Sequence, residues 1–155
     1  MNSKEILKSL RINHIFSLFA ALLVIAAFET GIIAEGGLNG LLSSTWKYVT
    51  QVTAVMLTVL LIPLALKGFT NKLEKSTGRS EEEYLKIFVK KSMHRMSLLF
   101  IVLLLNTFVH YGIGYNGSLY CGLFALGTLA YSYPTRMVLE EYLEKNRRAL
   151  KEQKN

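Results

Sequence analysis

One carboxylate stands where none is expected. In LLVIAAFETGIIAEGG, Glu29 interrupts a stretch that is otherwise almost wholly apolar from Ile15 to Ala34. A charged side chain at the centre of a membrane span costs about 2.5–3.5 kcal/mol on insertion scales, so an ionisable group kept there is a functional candidate by default. The chemistry open to it is proton exchange, capture of a cationic or polar solute, or, when protonated, a hydrogen bond joining two helices. Other polar residues fall at comparable depth. Counting about 1.5 Å per residue from the midpoint of each apolar stretch, Glu29 lies about 7 Å and Asn106 about 6 Å from the centre, on the same side. Thr53 and Cys121 come out at similar heights, with Gln51, Thr107 and His110 nearer the surface. Asn106 and His110 are four residues apart and share one helical face. The candidate site for a ligand or a proton is therefore Glu29, Asn106, His110, Gln51, Thr53 and Cys121, provided the helices turn these faces inward. The competing assignment is structural, with a protonated Glu29 bonded to Asn106 or to a backbone carbonyl.

Other chemistry is sparse. The chain has no aspartate and a single cysteine, Cys121, which excludes an internal disulfide and paired-thiol redox chemistry. It has no H-E-x-x-H, no glycine-rich phosphate loop and no G-x-S-x-G, so no catalytic or metal residue is assigned and no cofactor is called for. His14 and His94 fall at equal depth near the ends of two apolar stretches, where paired imidazoles could hold a b-type haem. Basic neighbours, as in KKSMHRMS, make them interfacial residues instead. Asn116-Gly117-Ser118 matches a glycosylation sequon by chance, since it lies almost in the membrane surface.

These residues need elements to hold them. Of 155 residues, 51% are hydrophobic, yet 18 are Lys or Arg, and the mean hydropathy is +0.30. The apolar residues are clumped into four segments, about 15–34, 49–66, 92–111 and 117–133. Each is close to the roughly 20 residues a helix needs to cross ~30 Å of hydrocarbon. A soluble bundle would show a polar face on each helix, but SLLFIVLLL and VMLTVLLIPLAL are apolar all round. The first segment follows a basic start, MNSKEILKSLRIN, without a clear cleavage site after it, and reads as a retained span.

Charge gives an orientation. Every Lys and Arg except Lys47 falls before the first segment, between the second and third, in the opening turn of the third (Arg95), or after the fourth. The positive-inside rule then puts both termini, the loop 67–91 and the tail 134–155 in the cytoplasm. The net charge of +7 is thus a topology signal that also attracts anionic lipid headgroups. No aromatics interleave with it as a nucleic-acid surface requires. Trp46 and Tyr48, Tyr111 and Tyr115, and Tyr131 and Tyr133 mark segment ends, where interfacial aromatics belong.

Local signals punctuate the helices. Gly68 predicts a stop after Lys67. Ser80 with Glu83 forms a capping box, opening a helix that can run on into the third span. GIGYNGS is a tight turn, which makes the third and fourth spans antiparallel neighbours. Pro134 predicts a break. Beyond it Val138 with Tyr142, Leu139 with Leu143 and Asn146 with Leu150 repeat at i, i+4, giving an amphipathic helix for the membrane surface or the bundle end.

The fold class expected is an all-α integral membrane protein, one domain over residues 1–155. It has four transmembrane helices in an antiparallel up-down bundle of the plasma (inner) membrane, cytoplasmic termini and an amphipathic C-terminal helix. The function expected is binding or transport of a small solute or proton through a polar pocket in the outer half of the bundle. The alternative is an accessory or assembly subunit of a larger membrane complex. Expected partners are a bilayer with anionic lipid headgroups and either a second copy or a larger membrane complex, with no nucleic acid. An enzyme ranks behind both for want of a catalytic constellation.

Overall fold

Backbone groups within hydrocarbon must be bonded inside their own segment, which a helix achieves and an open strand does not. The computed structural model describes residues 3–152, which contain five α-helices and no strand. These are α1 (Ser3–Glu29), α2 (Ser44–Glu74), α3 (Glu81–Ile113), α4 (Asn116–Tyr131) and α5 (Arg136–Glu152). The first three, of 27, 31 and 33 residues, are each long and apolar enough to cross a membrane. The segment expected at 117–133 is also helical, but α4 has only 16 residues. That is about 24 Å of helix, short of a ~30 Å hydrocarbon layer.

Glycines and caps explain most of the helix ends. The apolar run expected to reach Ala34 stops being helical at Glu29, because Gly31 takes the left-handed conformation that closes helices (φ 73°). Its N–H donates to the Phe28 carbonyl at 2.9 Å. Residues 30–43 then form a loop rather than the top of a span. Ser43 caps α2, its Oγ accepting from the Trp46 N–H. The stop expected at Gly68 is absent, and α2 passes through Pro63 and Gly68 to Glu74. Phe69 and Leu73, 5% and 0% exposed, bury against α3 beyond that glycine, and such packing outweighs a penalty of about 1 kcal/mol for Gly in a helix. Ser80 caps α3 as its spacing predicts, Oγ accepting from the Glu83 N–H at 3.4 Å, and the helix runs unbroken to Ile113. Gly114 ends it at φ 79°, its N–H donating to the His110 carbonyl at 2.7 Å. Pro134 falls in the break between α4 and α5, as expected.

The hub is α3, which packs against α1, α2, α4 and α5. Its buried neighbours form three layers. At the end that carries α5, here the tail end, Leu10, Phe69, Leu73, Tyr84, Phe88 and Leu139 cluster. In the middle lie Ala21, Ile62, Leu99, Val102, Leu103, Ala125 and Leu129. At the opposite, loop end sit Ala54, Val109 and Ile113. Large apolar side chains including Phe16, Phe19, Leu60, Leu64 and Phe124 face outward and exposed, as a lipid-facing wall requires and a soluble surface rarely tolerates.

The amphipathic tail helix lies on the bundle end, one of the two places its pattern allows. Asn146 holds it there. Fully buried, its Oδ1 accepts from the backbone N–H groups of Gly78 and Arg79 at 2.9 and 3.3 Å, and its Nδ2 donates to the Arg79 carbonyl at 2.9 Å. Arg147 adds three exposed bonds to the Glu81 carboxylate. Asn146→Ala removes all three part-buried bonds to the 78–79 backbone and empties a fully buried side-chain position, and should lower unfolding free energy by about 1–3 kcal/mol. Arg147→Ala strands nothing and should change it far less. Thermal unfolding of both variants in detergent makes the comparison, and equal shifts would mean that the 75–80 turn does not hold α5.

Candidate functional site at the loop end

The C-terminal turns of α1 and α3 meet at the loop end. Phe28 stacks flat on Tyr111, with ring centroids 4.6 Å apart and planes 3° from parallel, and Phe108 abuts Phe28 edge-on. This stack aims the Tyr111 hydroxyl at α1, where it donates to Glu29 Oε1 at 2.5 Å. Glu29 is the last residue of its helix, next to the negative end of the helix dipole, a position that favours cations over carboxylates. The loop folds back over α3, the Gly36 and Leu38 N–H groups donating to the carbonyls of Tyr111 and Gly112 at 2.8 and 3.2 Å. That brings Glu35 beside Glu29. The two carboxylates, Asn39, His110 and Tyr111 line an open recess of about 350 Å³.

Beneath this recess is a smaller cavity of about 40 Å³, between α1, α3 and α4. It has room for roughly one or two waters. Asn106, Thr107 and Ser118 line it, and so do His110 and Tyr111, which therefore border both spaces. Asn106 is fully buried. Its Nδ2 donates to Thr58 Oγ1 on α2 at 2.7 Å and to its own helix at the Val102 carbonyl at 2.9 Å. Its Oδ1 accepts nothing, and neither does the buried Ser118 Oγ bond to anything. His110 Nδ1 lies 3.3 Å from the Tyr115 carbonyl, and its ring meets Tyr111 at a 4.8 Å centroid distance. Below the cavity Val102, Leu103, Ala125 and Leu129 form a closed apolar layer.

The six sequence-predicted residues separate in space. Glu29 and His110 share the open recess, and Asn106 and His110 share the small cavity. Glu29 does not partner Asn106: it lies at the helix end and exposed, not part-way into a span. Its bond goes to Tyr111, and that of Asn106 to Thr58. Thr53 is exposed on the outer face of α2, and the half-buried Gln51 lines neither space. Cys121 borders a different, apolar recess between α2 and α4 with Thr58, Pro63, Tyr120 and Phe124. Tyr111, Glu35, Thr58 and Ser118 went unpredicted. In the sequence Tyr111 stood out only as an interfacial aromatic at a segment end and Ser118 only within a chance sequon, while nothing singled out Glu35 or Thr58.

His14 and His94 have unlike surroundings. His14 is fully buried with Tyr133 edge-on at 5.3 Å, whereas His94 is exposed in a groove between α2 and α3. Among the described residues no group of three or more His, Cys, Asp or Glu side chains is placed to hold a metal ion.

Comparison with protein-family models, with curated proteins and with solved structures gives no match. The site therefore stands on its own geometry. Tyr111→Phe keeps the ring on Phe28 and removes only the bond to Glu29, so stability should fall by about 1 kcal/mol. Tyr111→Ala also removes the stack and should cost about 3–5 kcal/mol. Denaturant unfolding of the two variants tests this, and a Phe variant as damaged as the Ala variant would mean that the hydroxyl dominates.

Proposed function

We propose that the chain is a four-span protein of the plasma (inner) membrane whose loop end faces outward and binds a small cationic solute or a proton. The charge distribution supports the orientation, because among the described residues every Lys and Arg except Lys47 belongs to the tail half. In this reading α4 is the fourth, short crossing, accommodated by tilt of its neighbours or local thinning of the bilayer. Both termini and α5 are then cytoplasmic.

The observation that carries the binding reading is the junction at His110 and Tyr111. On its outer side is a recess with two carboxylates, Glu29 and Glu35; on its inner side are two buried acceptor atoms without partners, Asn106 Oδ1 and Ser118 Oγ. Carboxylates, an imidazole and a phenol together suit a cation or an exchangeable proton. The recess admits an ammonium-bearing solute, and the small cavity admits only something the size of water. The apolar layer around Leu103 closes the path below, so binding is what one chain does as folded. Transport requires that layer to part.

An accessory role has one observation in its favour. The apolar recess between α2 and α4, about 370 Å³ and bordered by Ile62, Pro63, Tyr120 and Phe124, is shaped for a helix of another membrane protein.

Native mass spectrometry on protein extracted gently at its natural level distinguishes the two. The binding reading expects a small retained cation-bearing molecule, lost when Glu29→Gln and Glu35→Gln are combined. A ligand kept equally by that double variant overturns the assignment to the carboxylates. A wild-type protein that carries no ligand and comes off with larger membrane subunits establishes the accessory role instead.

A further inference from the structure

A second cluster of polar groups lies at the other end of the bundle, in a groove of about 200 Å³ between α2 and α3. On α2 the groove is walled by Leu64, Gly68 and Lys72, spaced at i, i+4, i+8 on one helical face. On α3 its wall runs from Lys91 through His94 and Arg95 to Leu98. The two helices are antiparallel, so both walls grade in the same direction. Lysines mark the tail end, His94 and Arg95 follow, and leucines lie deepest, over about 10–12 Å of helix.

The charge here is uncompensated. Five cations elsewhere, Lys86, Arg136, Lys145, Arg147 and Arg148, pair with glutamates on the tail-end surface. Among the described residues none of Lys72, Lys91, His94 and Arg95 is within ion-pair distance of a carboxylate. Arg95 is held in place without one. Its guanidinium lies over the Phe69 ring at 4.1 Å and its Nη2 donates to the Ser132 carbonyl at 3.0 Å, while its buried Nε has no partner. Four basic side chains at the mouth of an apolar slot between two candidate spans match one class of molecule in charge and in depth.

We infer that the α2–α3 groove is a binding site for an anionic phospholipid. The phosphate of the headgroup lies against Arg95 and Lys91, with Lys72 and His94 at the rim, and an acyl chain runs down past Leu64 and Leu98. A free phosphate would satisfy the bases but leave the leucine wall bare, and a zwitterionic lipid would fill the wall and offer a phosphate but bring a cation of its own against the four bases, leaving their net charge uncompensated. The inference uses the membrane placement of α2 and α3 and owes nothing to the solute reading of the loop end.

Gly68 supplies a clean test. A Cβ there meets nothing within 4 Å, so Gly68→Leu starts from open space on the groove wall and replaces glycine with a better helix former. Arg95→Gln is less informative, because it also strips Phe69 and Ser132 of a partner. Purified protein in detergent is titrated with phosphatidylglycerol, with phosphatidylcholine of the same acyl chains, and with inorganic phosphate, read by native mass spectrometry. Expected are at least tenfold tighter binding of phosphatidylglycerol than phosphatidylcholine, about tenfold loss in the Lys72→Gln, Lys91→Gln double variant, and loss in Gly68→Leu. A control double variant at two paired bases, Lys86→Gln with Lys145→Gln, should bind as wild type. Equal binding of the two lipids, competition by inorganic phosphate at millimolar concentration, or an equal loss in the control variant would each overturn the assignment.

Discussion

The structure depends on the enclosure of α3. Between helices in lipid the hydrophobic effect gives no driving force, so association rests on close packing and on hydrogen bonds made across the interface. The core of α3 supplies both. Leu99, Val102 and Asn106 are all 0% exposed, and the bond from Asn106 to Thr58 joins α3 to α2 at the level where α4 also approaches. A buried amide must be bonded to persist, which fixes the rotation of α2 about its own axis. With that rotation set, Ala54 and Ile62 face inward, the α2 wall of the basic groove faces Arg95, and Thr53 faces out.

The same helix sorts chemistry by depth. Its last turns carry His110 and Tyr111 to the loop end, where Glu29 and Glu35 arrive from α1 and from the loop that follows it. Its middle is apolar, and its first half carries Lys91, His94 and Arg95. An acidic recess and a basic groove are thus held on one rigid rod with an apolar layer between them. The layer keeps the two apart, and above it Asn106, Thr107 and Ser118 reach toward it from the loop end, with Asn106 Oδ1 and Ser118 Oγ unpartnered.

What could be read from the sequence is what is encoded locally. The Ser80 cap, the Gly114 turn, the break at Pro134 and the amphipathic stripe of α5 each depend on residues within a few positions, and each is found in the fold. The end of α1 was hidden because Gly31 sits inside an apolar run and hydropathy does not register a left-handed glycine. The continuation of α2 past Gly68 was hidden because tertiary packing of Phe69 and Leu73 overrides a local penalty. Inward faces were the least legible. Helices that are apolar all round have no polar stripe to show which side is buried, so Thr53 and Thr58 look alike in sequence, though one is exposed and the other fully engaged. Partners distant along the chain, such as Glu29 with Tyr111, leave no local trace at all.

A polar site opens from the loop end and stops at the apolar layer. Cysteine accessibility tests it most directly. In a Cys121→Ala background, His110→Cys and Leu103→Cys are each expressed in intact cells and treated with a membrane-impermeant maleimide. The first should label rapidly from outside and the second not at all. Labelling of His110→Cys only after the membrane is permeabilised, or labelling of Leu103→Cys at a similar rate, would contradict it.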